Sequence, residues 1–412
     1  MSNNNRVCVT GLGVISPLGL EINEFWNNLI NGKNGITINN RLNTENFKVK
    51  IAGLVPSSFD PANYIDKKHI RKMDRYVHYG LASTALALKD SEINLSNYDP
   101  FRVGVFVGSG IGGIETFEEQ TLIYLKNGNS KVSPFFVPKM IVNILAGWIA
   151  IIYNIKGPNL TCVSACSSSL HALGEGYLAV KNGLVDVAIV VGSEAPITNM
   201  AIAGFENMGV LSKNPDPNSA SRPFDLNRDG FVIAEGAGTI ILESLASANK
   251  RNAKIYAEII NYSNTCDAYH ITAPDPEATS IKQAIKSAIS NIDIEQIDYI
   301  NAHGTSTPYN DKTETKAIKE VLNDRAYKIN ISSIKSMIGH TLGAAGAIES
   351  IATILAIYHK IIPPTINYTT PDPECDLNYT PNKAVNREIN VALKNSFGFG
   401  GHNVVVAFKK FN

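Results

Sequence analysis

Residues Thr161–Leu170 read TCVSACSSSL and lie between two segments with different hydrophobic patterns. Upstream, Gly157-Pro158-Asn159 turns the chain into a short run of β-prone residues. Downstream, apolar residues recur at helical spacing until Asn182-Gly183 ends the pattern. The stretch therefore predicts a strand, a tight turn and a helix that begins near Cys166 and ends near Lys181.

Cys166 is the candidate nucleophile of this turn. A cysteine at a helix N-terminus lies in a positive field, which favours the thiolate over the thiol. The alternative is a buried cysteine with a packing role, which is the commoner case for a single cysteine among small residues. The stretch alone does not decide between the two interpretations.

Composition limits the classes of function. The 412 residues are 44% hydrophobic, enough for one large domain or two medium ones. Lys+Arg and Asp+Glu both number 37, so no overall charge attracts nucleic acid or a membrane surface. The five widely spaced cysteines indicate a reducing compartment, and no metal site is predicted because Cys162 and Cys166 lack a second pair at ligand spacing.

Targeting and membrane segments are not expected. The N-terminus passes directly into the strand-like Val7–Val9, with no charged leader followed by an apolar segment. The apolar run from Ile141 to Ile155 is too short to span a bilayer and predicts a buried helix. We therefore expect a cytoplasmic protein without membrane insertion.

Buried strands alternate with helices along the chain. The strand-like runs cover residues 103–107, 187–191 and 299–302, and the helical patterns cover residues 76–90, 166–181, 280–290, 312–323 and 346–359. This alternation predicts a layered α/β architecture. The glycine-rich turn after Val107 lacks the Lys-Ser/Thr of a phosphate loop, so nucleotide binding is not expected.

A weak internal repeat divides the chain. Glu235–Glu243 and Gly398–Phe408 are both glycine turns followed by apolar strands, and the strand-turn-helix around Cys166 has a counterpart around His340. We predict two similar halves, residues 1–254 with the nucleophile and residues 255–412 with two histidines.

Three stretches of the second half carry residues that could act together with Cys166. Asn301–Pro308 carries His303, Lys335–Glu349 carries His340, and Asn395–Gly401 places Phe399 between glycines. A lone histidine at a strand end usually has a structural role. Two histidines in glycine-framed turns, together with a cysteine that begins a helix, form a candidate catalytic constellation.

The ordered set of motifs resembles the β-ketoacyl-[acyl carrier protein] synthases, in the synthase I/II branch and most like synthase II. Besides the stretches above, the resemblance rests on Val9–Gly13, Val163–Ser168, Ser221–Asp225, Arg228–Phe231 and Asp267–His270. It covers essentially the whole chain. It implies a thiolase-like fold, with duplicated halves in a five-layered α-β-α-β-α sandwich, assembled as a homodimer.

The resemblance also implies the reaction. An acyl chain held as a thioester on Cys166 condenses with malonyl-acyl carrier protein, giving 3-oxoacyl-acyl carrier protein and CO2 in fatty acid elongation. His303 and His340 would stabilise the enolate, and the backbone N–H groups of Cys166 and Phe399 would form the oxyanion hole. Lys335 and Glu349 would form a buried pair that orders His340. The substrates are carried on the phosphopantetheine arm of the carrier protein, and no other cofactor is implied.

Substrate and carrier contacts follow from the same matching. Thr305 and Thr307 would form hydrogen bonds with the pantetheine arm. Phe399 would also gate the acyl pocket, and Ile111 and Phe205 would line it. The basic segment 66–73 matches the region that receives the acidic carrier, with Lys68, Arg71 and Lys72 as docking residues.

Three positions depart from the family pattern. Gly209 stands where arginine is common, which puts a second carrier contact in doubt. Asn310 replaces a glycine, and we expect it to keep a left-handed turn. His402 replaces a threonine and receives no role.

Related enzymes offer alternatives. A thiolase needs a second active-site cysteine, but the C-terminal quarter has only Cys375, in a loop-like segment. Initiating condensing enzymes use Cys-His-Asn, whereas this chain has a second histidine. A type II polyketide ketosynthase would share every catalytic residue and stays open, whereas Cys166 argues against a non-catalytic chain-length partner subunit.

Overall fold

The computed structural model describes residues 6–412. In chain order the strands are β1 (Val7–Ile15), β2 (Ile36–Ile38), β3 (Ile51–Gly53), β4 (Val103–Gly108), β5 (Asn159–Cys162), β6 (Val187–Glu194), β7 (Gly236–Ser244), β8 (Ala257–Cys266), β9 (Ile297–Asn301), β10 (Asn330–Ser332), β11 (Ile361–Ile362), β12 (Val385–Asn386), β13 (Val391–Gly398) and β14 (His402–Lys409). The helices are α1 (Ile22–Ile30), α2 (Lys67–Ile70), α3 (Arg75–Ser91), α4 (Ile114–Asn127), α5 (Phe136–Met140), α6 (Ile144–Tyr153), α7 (Ser168–Lys181), α8 (Asn199–Asn207), α9 (Leu245–Lys250), α10 (Thr279–Ala288), α11 (Pro308–Leu322), α12 (Lys335–Ile338) and α13 (Ala345–His359).

Ten strands form one continuous sheet in the order β10-β9-β13-β14-β8-β1-β7-β6-β4-β5. The joint between its two five-stranded halves is short, since β1 pairs with β8 only through Val7–Val9 and 257–259. Helices α7 and α13 pack against each other and against strands of both halves. Helix α3 covers the outer face of one half, and α10 covers the other. The result is the five-layered α-β-α-β-α thiolase-like sandwich that the resemblance implied.

Continuous apolar runs produce the centre of the first half. Every residue of β4 and β6 is buried, and the two strands pair in parallel with Val103 beside Val187. A parallel strand covered on both faces needs apolar residues at successive positions, which is the pattern in these runs. The small residues of α13 let it lie close to α7, and a Cβ on Gly346 would come within 2.6 Å of the Leu170 nitrogen.

The predicted elements are all present, with ends that differ by a few residues. The helix expected at 312–323 begins earlier because Pro308 starts α11. Asn310 therefore lies in the first helical turn, and our expectation of a left-handed turn there was wrong. Positive φ angles fall instead on Gly304 (φ 39°) and Ser306 (φ 69°).

The apolar segment around α6 is only partly buried, contrary to our expectation. Ile151 and Ile152 are 73% and 43% exposed, because no element of the described part of the chain covers this face of α6. The segment Leu342–His359 is long and apolar enough to cross a membrane, but 89% of it is buried inside the fold. It is the central helix α13 and the turn before it.

The predicted boundary at residues 254 and 255 falls between α9 and β8. Cys166 lies on the N-terminal side of this boundary, and His303 and His340 lie on the C-terminal side. Cys166 lies just before α7, and His340 lies shortly before α13. These two turns meet, because the two helices lie side by side in the central layer.

Candidate active site

The turn that carries Cys166 has a fixed and strained backbone. Strand β5 ends at Cys162, a 3-10 turn spans Ala165–Ser167, and α7 begins at Ser168. Ala165 has a φ of 49°, a conformation that costs energy for a residue other than glycine. The Ser168 hydroxyl donates to the Ala165 carbonyl (2.7 Å) and accepts from the Ser164 nitrogen (2.9 Å). These bonds hold Cys166 at the entrance of the helix.

Both predicted histidines lie beside this cysteine. The Nε2 atom of His340 is 3.0 Å from the Cys166 sulfur. The rings of His303 and His340 meet edge to face, with centroids 5.5 Å apart. One ligand-type atom from each of the three side chains lies within 4.8 Å of the others. All three residues are buried, so the reacting groups lie away from bulk water.

This trio also consists of residue types that bind Zn²⁺. We expected no metal site because of the spacing of Cys162 and Cys166, but the fold assembles such a cluster from three distant segments. The acid-base properties of the trio follow from its burial.

Burial raises the pKa of Cys166 to about 12, while the Lys335 ammonium and the Phe399 backbone N–H oppose the rise. The backbone N–H groups at the helix entrance favour the thiolate, in the expected direction, but removal of the sulfur from water has the larger effect. Burial, followed by the Lys335 charge, holds the pKa of both His303 and His340 well below its usual range. At neutral pH a neutral thiol therefore faces a neutral imidazole that can accept its proton.

A buried ionic cluster lies behind the histidines. The Glu349 carboxylate contacts the Lys335 ammonium at 2.5 Å and the Lys394 ammonium at 2.8 Å. We expected the Lys335–Glu349 pair to order His340, but the Lys335 ammonium donates to the backbone carbonyl of His303 (2.7 Å). This hydrogen bond therefore fixes the backbone of His303.

Glu314 holds the same backbone from the other side. Its two carboxylate oxygens accept from the backbone nitrogens of His303 (2.9 Å) and Gly304 (2.8 Å). The side-chain amide of Asn395 donates to it at 3.0 Å. Sequence reasoning missed Glu314 and Lys394, although a lysine inside the apolar run of β13 was a signal that could have been noticed.

The glycine-framed turn around Phe399 closes against the nucleophile. The backbone N–H groups of Phe399 and Cys166 both lower the pKa of the Cys166 thiol. A Cβ on Gly398 would lie 2.8 Å from the Ser164 carbonyl oxygen and 3.2 Å from the Cys166 nitrogen. Only glycine permits this approach, which places two N–H donors where an oxyanion would form.

The site opens into a cavity of about 560 Å³. Its walls include all of the predicted substrate residues and the trio, namely Ile111, Cys166, Phe205, His303, Thr305, Thr307, His340 and Phe399. The hydroxyls of Thr305 and Thr307 are 2.9 Å apart. An apolar cavity that ends at a nucleophile suits a long acyl chain.

Two family descriptions match the chain over most of its length. Residues 4–248 match the beta-ketoacyl synthase N-terminal domain, and residues 256–369 match the beta-ketoacyl synthase C-terminal domain. The chain belongs to the beta-ketoacyl synthase family.

Curated relatives of this beta-ketoacyl synthase agree. The 3-oxoacyl-[acyl-carrier-protein] synthase 2 of Synechocystis sp. is 46% identical over 409 residues, which is 98% of each chain. The enzyme of the same name from Staphylococcus aureus strain N315 is 46% identical over 413 residues, which is 100% of each chain.

Solved structures of ketosynthases share the fold. A type II PKS ketosynthase in complex with its acyl-carrier protein superposes with a TM-score of 0.92 at 36% identity, covering 99% of this chain and 100% of that one. A beta-ketoacyl synthase from Burkholderia phymatum STM815 gives 0.92 at 31% identity, with the same coverage.

One buried carboxylate of this beta-ketoacyl synthase joins the acyl cavity to the histidine segment. Glu194, at the end of β6, accepts from the backbone nitrogens of Gly110 (2.6 Å), Ile111 (3.1 Å) and Gly343 (3.0 Å). The first two belong to the cavity wall, and the third follows His340 closely. The sequence analysis missed this residue, although it is the one charged side chain of β6 and ends an apolar run, which was a signal.

The predicted docking residues lie outside the cavity. Lys68 and Arg71 are exposed, and Lys72 is half-buried with its ammonium 5.6 Å from the centre of the Phe135 ring. Lys68 also pairs with Asp66 at 2.9 Å.

The two other departures from the pattern differ in position. Gly209 lines the cavity and is exposed, with a φ of 69°. The His402 ring packs edge to face against His171, with centroids 6.1 Å apart, and its carbonyl accepts from the Ser167 hydroxyl (2.8 Å). His402 thus supports the nucleophile turn from behind.

Proposed function

We propose that this chain catalyses the decarboxylative Claisen condensation of an acyl chain with malonyl-acyl carrier protein. The products are 3-oxoacyl-acyl carrier protein and CO2, and the reaction elongates fatty acids. The observation that carries the proposal is the 3.0 Å contact between the Cys166 sulfur and His340 Nε2 at an apolar cavity that His303 also lines.

In the first half-reaction, Cys166 takes the acyl group. Its sulfur attacks the thioester carbonyl of the acyl-carrier protein, and the thiol proton moves to His340 Nε2. The backbone N–H groups of Cys166 and Phe399 stabilise the negative oxygen. The bond to the pantetheine sulfur then breaks, and this sulfur leaves with the proton from His340. The high pKa of the thiol makes this proton transfer a necessary part of the attack.

In the second half-reaction, malonyl-carrier protein loses CO2. The bond between its α-carbon and the carboxylate breaks, and the electron pair remains as an enolate. Neutral N–H groups of His303 and His340 donate to the thioester oxygen where this charge develops. The α-carbon attacks the acyl carbonyl, the bond to the Cys166 sulfur breaks, and the sulfur leaves as a thiolate that takes up one proton from solvent water. Among residues 6–412 the Nδ1 atoms of both rings have no hydrogen-bond partner, so none of these residues opposes the change of His340 from acceptor to donor.

Acyl carrier protein is the proposed partner. Support comes from the ketosynthase structure solved with its acyl-carrier protein and from the basic side chains of Lys68, Arg71 and Lys72. Reversing these three charges should raise the KM for acyl-carrier protein at low salt, with kcat unchanged, because exposed charges steer the encounter. An unchanged KM would exclude this surface as the docking site.

We also propose a homodimer. Strand β5 lies at the edge of the sheet, and Leu160 on it is exposed, as are Val163 and Ile151 nearby. An unpaired edge strand with apolar neighbours is suited to pairing with a second copy. A sedimentation mass of a single chain would contradict this assembly.

A cytoplasmic location and the absence of a further cofactor complete the proposal. All five cysteines, which lie within the described residues, are free, as suits a reducing compartment. The only group the mechanism requires beyond the protein is the phosphopantetheine arm of the carrier.

The deciding experiment is turnover of defined acyl-carrier proteins with malonyl-carrier protein. The wild-type chain should form 3-oxoacyl product and CO2, and Cys166→Ala should form no condensation product because it cannot hold the acyl group. Elongation by the variant would refute the mechanism. A type II polyketide ketosynthase, suggested by the 36% identical structural relative, would instead prefer unreduced 3-oxoacyl chains in the same assay.

A further inference from the structure

Lys394 is a fully buried lysine that the mechanism above does not use. It lies on β13, and its side chain is 0% exposed. Its ammonium contacts the Glu349 carboxylate at 2.8 Å and donates to the carbonyl oxygens of Ala302 (3.1 Å) and Asn301 (3.4 Å). It also donates to the carbonyl of Asn395. A buried charge is tolerated only with such complete pairing, so the position of this ammonium is closely defined.

These partners belong to the segment that leads into His303. Lys394 holds the carbonyls of the two residues before the histidine, and Lys335 holds the histidine's own carbonyl (2.7 Å). Glu314 accepts from the backbone nitrogen of His303 at 2.9 Å. Three charged side chains from three different elements thus fix one peptide segment at the end of β9.

Lys394 does not line the cavity, so it acts through other residues. We propose that Lys394 is a positioning residue whose ammonium holds His303 at the enolate oxygen during loss of CO2. The inference rests on the role given to His303 above. The hydrogen bonds and ion pairs of Lys394 within residues 6–412 all go to other residues than Cys166, so we expect transfer of the acyl group to Cys166 to depend much less on this ammonium.

The protonation of Lys394 gives the proposal a measurable signature. Burial lowers the pKa of Lys394 to about 8, against the attraction of Glu349, and the Lys335 charge adds to the decrease. The charged or titratable groups around it are Glu349 on α13, Lys335 on α12, Glu314 on α11, and His303 and His340 in the turns. Below about pH 8 the ammonium is charged and holds the segment, and above that pH it loses its charge and one N–H donor, which weakens this hold.

The test compares the two half-reactions in the full chain. Acylation of Cys166 by acyl-carrier protein is followed by intact-protein mass, and CO2 release from malonyl-carrier protein is followed from pH 6.5 to 9.5. In the wild type, we expect CO2 release to fall above about pH 8 while acylation does not fall. Lys394→Met should lower CO2 release by about tenfold or more at pH 7, remove the fall above pH 8, and leave acylation within about threefold.

Controls separate the proposal from simpler explanations. Lys410→Met, which removes an exposed lysine, should change neither half-reaction. Equal losses of both half-reactions in Lys394→Met, or unchanged CO2 release, would overturn the proposal. If that variant does not fold, a wild-type CO2 release that stays constant from pH 7 to 9.5 overturns it, and a fall near pH 8 confined to this half-reaction supports it.

His303→Ala distinguishes failure of this inference from failure of the proposed function. If His303→Ala loses CO2 release and Lys394→Met does not, only the positioning role of Lys394 is wrong. If His303→Ala retains full CO2 release, the role of the histidine itself is wrong.

Discussion

Replacement of Gly398 by alanine should separate the oxyanion hole from the nucleophile. The new Cβ would lie 2.8 Å from the Ser164 carbonyl oxygen and 3.2 Å from the nitrogens of Cys166 and Ser167. Real carbon-oxygen contacts in packed interiors are about 3.3 Å or longer, so one of the two backbones must move by roughly 0.5 Å. Neither can yield easily, because Ser396 Oγ ties the Phe399 turn to the Cys166 carbonyl at 2.9 Å.

This displacement should slow the acylation of Cys166. The Phe399 N–H is one of two oxyanion donors, and loss of one such donor costs about 3 kcal/mol, or 10²- to 10³-fold in rate. Overpacking should also destabilise the fold by about 1–3 kcal/mol. We therefore expect Gly398→Ala to fold with a lower Tm and to acylate Cys166 at least about a hundredfold more slowly, while CO2 release is less affected.

Rapid-quench mass spectrometry of the acyl-enzyme measures this rate. Gly204→Ala is the matched control, because this exposed glycine of α8 has nothing within 4 Å of the added Cβ. It should acylate normally. Acylation of Gly398→Ala within about threefold of the wild type would refute the assignment of Phe399 to the oxyanion hole.

Two further predictions concern the trio. Because burial raises the pKa of Cys166 to about 12, its alkylation by iodoacetamide should still be rising with pH at pH 10, and a plateau below pH 8 would contradict a neutral resting thiol. His303→Ala and His340→Ala should both lose CO2 release by at least about tenfold in an assay with malonyl-carrier protein alone, since each removes an enolate donor. Only His340→Ala should also slow acylation of Cys166, because His340 Nε2 is the atom at 3.0 Å from the sulfur. Equal acylation rates in the two variants would refute the assignment of the base.

The α/β fold and the place of Cys166 between a strand and a helix could be predicted from the sequence with good accuracy. The runs that form β4 and β6 are apolar at successive positions, and the helical spacing after Cys166 matches α7 to its last residue, Lys181. These signals are local, because hydrophobic periodicity follows the geometry of each element. The start of α11 and the exposed face of α6 were misjudged, because a helix-starting proline and a missing partner are not visible in that periodicity.

The choice of Cys166, His303 and His340 as candidate residues came from the sequence, because their glycine-framed turns and their order along the chain are visible in it. The tertiary structure alone decided their protonation states. Desolvation outweighs the field of a helix end and keeps the thiol neutral. The tertiary structure also decided which charged residues support the site, namely Lys394, Glu314 and Glu194. Their most distant partners lie 93, 81 and 149 residues away along the chain, and only the packing of distant segments brings these donors and acceptors together.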